Sequence, residues 1–464
     1  MSDLRDLEEE FFQALKRLAR RTKFAELLAQ SSEGQGFRLE RRQTSVSQNP
    51  RLKGAVLRAW GGRRWVEVAT SALDGRSVTL AVEALEQTLW KTGSGPDPPG
   101  RSATTQREWS ERPPHPMREA ASEDLIAFSK DVLGWATAVP GIREASVQVA
   151  WSDEERLYLN TAGARCYQLL CRVYSVAAPL AIENGRVEVD AAVDGGLGGR
   201  DRLKALSQES VTAAAQSAVK LLHARAPPSG EMTVLLDPST SGTFAHESFG
   251  HGTEADQFLR DRSYLKPILG QVVGPETLTI VDDGAYPDGW GTIHFDDEGN
   301  LGQRTLLVDK GRFVGALHDR ETAAAFHVPP TGNARRSDFL SREYVRMTNT
   351  CVEPGNWTFD ELVQEAKNGV LLERATSGIE DPQGGQMQLK VKKGRKIENG
   401  QLTDLVTSMA LSGRVLDFLR SVRGVSHRSD FHIDPGTCGK GQSDLLPAGT
   451  GGTYLLSTAI VGRA

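Results

Sequence analysis

The sequence predicts an α+β fold in two domains, with mixed or antiparallel sheets and packed helices. Three observations predict it. Segments of strand-like alternation and of helix-like periodicity succeed one another without a regular βαβ order. The 464 residues exceed what one domain of about 100–200 residues holds. Finally, Ala226-Pro227-Pro228 interrupts the chain between two differently patterned halves, so 1–225 and 226–464 are the expected units.

In the first half, Leu4, Leu7, Phe11, Leu15, Leu18, Phe24 and Leu27 recur at roughly helical spacing, which predicts an amphipathic helix over 4–30. GFRLERRQTSVS and GAVLRAWGGRRWVEVAT alternate and predict strands with a turn at Gly61-Gly62. A second helix is expected over 78–91, and the Pro-, Gly- and charge-rich residues 94–116 read as a loop or flexible excursion. After a helix at about 121–137, REASVQVAW, ERLYLNTAG, ARCYQLLCRVYS and GRVEVDAAV predict strands across 143–192, and 201–223 a long amphipathic helix.

The second half opens on the buried-type strand EMTVLLD, and STSGTFAHESFGHGTEADQFLRD should be helical. Strands are expected at TLTIVDD, at QRTLLVDKGRFVGALHD turning at Lys310-Gly311, at GVLLER, and at QMQLKVKKGRKIENGQLTD turning at Asn399-Gly400. Helices are expected at 320–327, 358–367 and 403–420, with a last strand in GGTYLLSTAIVG.

Composition limits the function classes. Net charge is −5 and the pI is near 6.1, so the basic face of a nucleic-acid partner is missing. No apolar run reaches the roughly 18 residues that span a bilayer. The N-terminus is acidic where a signal peptide is basic, which predicts a cytoplasmic protein. Cys166, Cys171, Cys351 and Cys438 form no C-x-x-C pair and are expected as small buried hydrophobes, Cys438 excepted.

That exception depends on His246-Glu247-Ser248-Phe249-Gly250-His251, an H-E-x-x-x-H pattern. Two imidazoles share a zinc ion easily at i and i+4 on a helix. At about 100° per residue, i+5 lies some 140° round a regular helix, so a wide π-type turn or a break at Phe249–Gly250 is predicted, with Gly250 making the distortion cheap. Nine histidines produce this pattern by composition in roughly one such chain in a hundred, so alone it does not decide. A catalytic zinc needs a third protein ligand. Glu254 and Asp256 lie nearby; Cys438, flanked by glycines in Asp434-Pro-Gly-Thr-Cys-Gly-Lys-Gly-Gln442, is the distant candidate. Residue chemistry leaves the acids and the thiol close to a tie.

HESFGHGTEAD resembles the signature helix of the TldD/PmbA metallopeptidase family, and further motifs follow in order: Val281-Asp282-Asp283-Gly284, Asp296-Asp297-Glu298-Gly299, Pro330-Thr331-Gly332-Asn333 with Arg335-Arg336, Arg346-Met347-Thr348-Asn349-Thr350, Glu398-Asn399-Gly400 and Cys438-Gly439-Lys440. The resemblance covers 230–464 well, 120–225 weakly and the start faintly. It implies His246, His251 and Cys438 as ligands of one divalent ion of zinc type, and Glu247 as catalytic acid/base. It also implies the metal-bearing TldD-like subunit, dimeric either with itself or with a metal-free TldE/PmbA-like paralogue, acting on peptides or unfolded protein. Ser248-Phe249, Ala255 and Gln383-Gly384-Gly385-Gln386 depart from the family pattern, which bears on substrate and partner more than on metal.

Under this reading the ion activates water, Glu247 moves its proton, and an extended peptide lies along a strand edge. Asn333, Arg335 and Arg336 are candidate substrate contacts, weighed against a structural ion-pair role. Asp296-Asp297-Glu298-Gly299 lacks calcium-loop spacing and reads as a turn; His294, His318 and His327 read as packing residues. The rival functions are a gyrase-modulator-like interaction protein with a structural metal, and a tailoring enzyme for peptide natural products.

Overall fold

In the computed structural model, residues 4–89, 96–100, 102–440 and 443–463 are described. Residues 90–95, at the end of the second expected helix and the start of the Pro-rich segment, and Gly441 and Gln442 lie outside them.

The fold is α+β. The N-terminal helix is shorter than expected: a 3₁₀ turn at Leu4–Leu7 leads into α1 (Glu8–Leu18), and the chain then becomes strand β1 (Ala25–Glu40). Leu27 fits both periods. With Ala25 and Ala29 it is fully buried at alternate positions, and β1 is paired on both sides, so tertiary pairing overrides the helical reading. β2 (Thr44–Trp60) and β3 (Trp65–Thr70) form the hairpin that turns at Gly61-Gly62, and α2 (Gly75–Leu89) follows. The Pro-rich segment is not an excursion: β4 (Gln106–Trp109) adds a parallel strand to the sheet edge, and Trp109 stacks on His294 at 5.3 Å.

α3 (Ser122–Thr137) precedes β5 (Ile142–Asn160) and β6 (Arg165–Glu183). REASVQVAW and ERLYLNTAG are one continuous strand. The acidic stretch that reads as a break is paired instead, Asp153 with Arg112 at 2.9 Å and Glu154 with Arg172 at 3.0 Å. β7 (Arg186–Val189) and β8 (Ala192–Leu197) both pair with β6. The long helix expected next is split into a 3₁₀ turn (Arg200–Ala205) and α4 (Gln208–Leu221), because Ser207 caps α4 by accepting from the Ser210 N–H at 3.1 Å. These strands make one eight-stranded sheet in the order β3-β2-β1-β5-β6-β4.

The second half begins with β9 (Gly230–Leu236) and α5 (Pro238–Thr243), then a π-helix at Phe244–Gly250, a 3₁₀ turn at His251–Thr253 and α6 (Ala255–Leu259). β10 (Ile280–Asp283), β11 (Arg304–Asp309) and β12 (Arg312–Phe313) follow, the last two turning at Lys310-Gly311 with φ of 45° and 78°. After α7 (Arg320–Phe326) come β13 (Ala334–Arg335), β14 (Tyr344–Val345), β15 (Asn349–Val352) and α8 (Phe359–Ala366). The chain closes with β16 (Gly369–Glu380), β17 (Gln386–Glu398), β18 (Gln401–Val406), β19 (Met409–Arg414), α9 (Val415–Arg420), β20 (Gly424–Val425), β21 (His432–Lys440), β22 (Ser443–Gly452) and β23 (Leu455–Arg463).

Strands β9, β23, β19, β17 and β16 pair in a closed ring, a small barrel. Closure corrects the helix expected over 403–420: its first two-thirds become β18 and β19, since β19 must bridge β17 and β23. Val234, Leu236, Val370, Leu372, Leu389, Val391, Met409, Leu411 and Val461 form one core with Phe244, Phe249 and Phe418. Leu235 and Leu371 face the other way, onto α8. Both faces of β9 are therefore buried at its C-terminal end, which explains the apolar run Val234-Leu235-Leu236. A second sheet, β12-β11-β10-β15-β22-β21, places β21 at its edge. This hairpin of β21 and β22 was not legible, because its glycines read only as turns.

Candidate metal centre

Asp237 starts the site by capping α5, its carboxylate accepting from the Thr240 N–H at 2.8 Å, with Pro238 at the first helical position. The chain then widens into the π-helix, and the His251 N–H donates to His246 O, five residues back. The same widening lets Phe244 and Phe249 both enter the core, against Phe418 (4.3 Å between ring centroids) and Phe313 (5.6 Å). The predicted wide turn is present, but Gly250 serves it differently. Its φ and ψ are −58° and −47°, ordinary helical values. A Cβ there would stand 2.2 Å from Met347 Sδ and 3.1 Å from Ala245 O. Gly250→Ala is therefore expected to destabilise the protein by about 1–3 kcal/mol through overpacking, read as a lower urea midpoint at unchanged m-value.

The turn brings the imidazoles together, with ring centroids 5.3 Å apart. β21 delivers Cys438, whose Sγ lies 3.5 Å from His251 Nε2. Among the described residues, the donor atoms of His246, His251 and Cys438 all lie within 4.8 Å of one another. Tetrahedral bonds of about 2.0–2.3 Å need donors about 3.3–3.6 Å apart, so slight contraction round a cation suffices. Two imidazoles and one thiolate also suit zinc chemically.

The three groups shift one another. Burial opposes charge on all three groups, raising the thiol and lowering the imidazoles. Attraction wins: Cys438 sits well below the ordinary thiol range because of His246 and His251, and both histidines are raised. Glu254 is the largest opposing influence at His251.

Of the acids weighed as third ligands, neither joins the donor set. Glu254 Oε2 is 3.3 Å from His251 Nδ1, the nitrogen remote from Cys438. Asp256 Oδ1 accepts from Lys440 Nζ at 2.7 Å. Behind His246, Thr350 Oγ1 is 3.4 Å from Nδ1 and donates to Asp282 Oδ1 at 3.0 Å. Thr350, Asp282 and Lys440 belong to motifs visible in the sequence, which carried no signal of these roles.

Glu247 Oε2 lies 3.8 Å from His251 Nε2, and Glu247 and His246 line a groove of about 720 Å³. One wall is residues 373–378 of β16, which pairs with β9 only over Val370–Leu372. The opposite wall is residues 434–437 of the edge strand β21.

Asn333, Arg335 and Arg336 lie elsewhere, buried and engaged by the fold. Asn333 Nδ2 donates to Asp282 Oδ2 (2.8 Å), Arg335 to Pro447 O (2.9 Å), and Arg336 to Glu67 Oε1 (3.2 Å). They line no part of the groove beside the histidines. Asp296 Oδ1 accepts from the N–H groups of Glu298 and Asn300, the expected turn, while Asp297 and Glu298 pair with Arg156 and Arg58. His294 stacks on Trp109, His318 packs on Phe326, and His327 ends α7 in the left-handed region.

Comparison with known proteins bears on this geometry. Residues 229–457 match the family model described as the PmbA/TldA metallopeptidase C-terminal domain. A metalloprotease of Methanocaldococcus jannaschii is 36% identical over 319 residues, 68% of this chain and 69% of the relative. A metalloprotease of Methanothermobacter thermautotrophicus is 31% identical over 95% of this chain and 96% of its own. A zinc metalloprotease TldD homologue of Saccharolobus solfataricus is 30% identical over 51% and 52%. In fold, the chain is similar to a Thermotoga maritima protein described as a modulator of a DNA gyrase (TM-score 0.80, 20% identity, 98% of this chain and 100% of the other). It is likewise similar to TldE of Thermococcus kodakarensis (TM-score 0.74, 16% identity, 98% and 100%).

Proposed function

Because the chain belongs to the PmbA/TldD metallopeptidase family, we propose that it hydrolyses peptide bonds in extended or unfolded chains, as a TldD-like subunit with Glu247 as general base. The observation that carries this reading is the convergence of His246, His251 and Cys438 beside a groove that Glu247 also lines. Residues 1–225 and 226–464 are taken as its two domains.

His246, His251 and Cys438 would hold one divalent ion, zinc by donor type and by the name of the Saccharolobus relative. When bound, such an ion polarises a carbonyl and makes water acidic near neutral pH. Glu247 accepts the proton of the attacking water and returns it to the leaving amine nitrogen, as the new C–O bond replaces the C–N bond. The free edge of β16 and the edge strand β21 flank the groove and offer main-chain groups to an extended peptide, which favours unfolded substrates over a particular sequence. A purely structural ion would require a closed set of four protein ligands; here three donors converge next to an open groove. The partner in this reading is a metal-free TldE/PmbA-like paralogue or a second copy of the chain. No described helix is long and apolar enough to cross a membrane.

The direct test is digestion of an unfolded peptide by the zinc-loaded protein, alone and with any paralogue. Cleavage should stop with chelator and return with zinc; cleavage indifferent to chelator would sink the proposal. A second prediction concerns Gly378, where a Cβ would stand 2.6 Å from Glu247 Cβ and 2.7 Å from its Cγ. Gly378→Ala should push the base aside and lower kcat by about 100-fold, the effect of an ångström's misplacement, while metal analysis finds the ion retained.

A further inference from the structure

The two histidines differ in what stands behind them. His246 Nδ1 faces a neutral hydroxyl, Thr350 Oγ1, whereas His251 Nδ1 faces the Glu254 carboxylate at 3.3 Å. Glu254 is 0% exposed. Its backbone is pinned against Leu317: the Leu317 N–H donates to Thr253 O, and the Ala255 N–H to Leu317 O, both at 2.9 Å. The side chain therefore enters a fixed position under the imidazole.

Lys440 meets Glu254 from the other direction. Its Nζ is 2.9 Å from Glu254 Oε2 and 2.7 Å from Asp256 Oδ1, and donates to Val345 O at 2.9 Å. Lys440 stands two residues after Cys438 on β21. A buried ammonium thus joins the strand that bears the thiol to the turn that follows the imidazole.

We propose that Glu254, held by Lys440, is the positioning residue of the metal centre: it aims His251 Nε2 at the ion, and the Glu254–Lys440 pair sets the spacing between His251 and Cys438. This rests on the metal-centre reading above. A carboxylate at one ring nitrogen fixes the tautomer and makes the other nitrogen a better ligand, and losing such a partner typically costs 10–100-fold in metal affinity. Glu254→Gln keeps the shape and removes the charge; Lys440 then still has Asp256 as counter-charge.

The test uses the full chain and the variants Glu254→Gln, Glu254→Ala, Lys440→Met and the Gln/Met double. Zinc affinity is measured by competition with a chelator, and the visible spectrum of the cobalt-loaded protein reports ligand geometry. Both Glu254 variants should bind zinc about 10–100-fold more weakly and shift the cobalt bands. The double variant should bind no more weakly than Glu254→Gln alone, as expected of two residues acting as a unit. Should Glu254→Ala fail to fold, the near-isosteric Glu254→Gln carries the measurement. Wild-type affinity with an unchanged cobalt spectrum in Glu254→Gln would overturn the positioning role, and additive losses in the double variant would overturn the coupling to Lys440. Wild-type protein that binds no zinc would overturn the metal-centre reading itself.

Discussion

Glu247→Gln is expected to lower kcat on an unfolded peptide by about 10²–10⁴-fold while the protein keeps its metal. Glu247 adjoins a proposed ligand in sequence but is not in the donor set: its carboxylate lies 3.8 Å from His251 Nε2 and lines the groove. The amide of glutamine matches the carboxylate in size, so the π-helix and its packing should survive. What it lacks is basicity, so it cannot take the proton of an attacking water. Metal analysis beside steady-state kinetics separates the two effects. A variant that keeps both its metal and wild-type turnover would remove Glu247 from the chemistry.

Cys438→Ser is expected to weaken zinc binding by more than about 100-fold, beyond the upper end of what losing an outer partner costs, and to abolish peptide cleavage at micromolar zinc. The hydroxyl fills nearly the same space, so the core around β21 and the π-helix is retained. A hydroxyl yields its proton to an ion far less readily than a thiol does, and the sulfur it replaces is the softer, stronger ligand for zinc. The consequence reaches stability, because an ion that binds only the folded state at 100 times its Kd adds about 2.7 kcal/mol. In wild type, zinc should raise the thermal midpoint and a chelator reverse the rise. In Cys438→Ser the midpoint should be indifferent to zinc; a zinc-dependent rise equal to that of wild type would take the thiol out of the donor set.

These two residues also show how unevenly the site could be read in advance. Glu247 lies within a six-residue pattern whose spacing already demanded a wide turn. Cys438 is 187 positions from His251, and residue chemistry alone left it level with Glu254 and Asp256; family resemblance broke that tie. The geometry fits that choice, since Glu254 turns out to sit behind the imidazole and not beside the sulfur. Arg335 and Arg336, candidate substrate contacts weighed against a structural ion-pair role, are both buried in ion pairs and carbonyl contacts that no local pattern announces.

Local pattern by itself determined α3, the two-residue turns at Lys310-Gly311 and Asn399-Gly400, the strand character of β9, and the strain that forces the histidine helix to widen. Only the tertiary structure decided that 25–30 and most of 403–414 are strand and not helix, that β4 joins the Pro-rich segment to a sheet, and that a glycine-rich hairpin carries the sulfur to the imidazoles. The physical reason is that hydrophobic spacing records which face of a segment is buried, whereas the partner that buries it, and the closure of a barrel or a ligand set, depend on contacts between residues far apart in the chain.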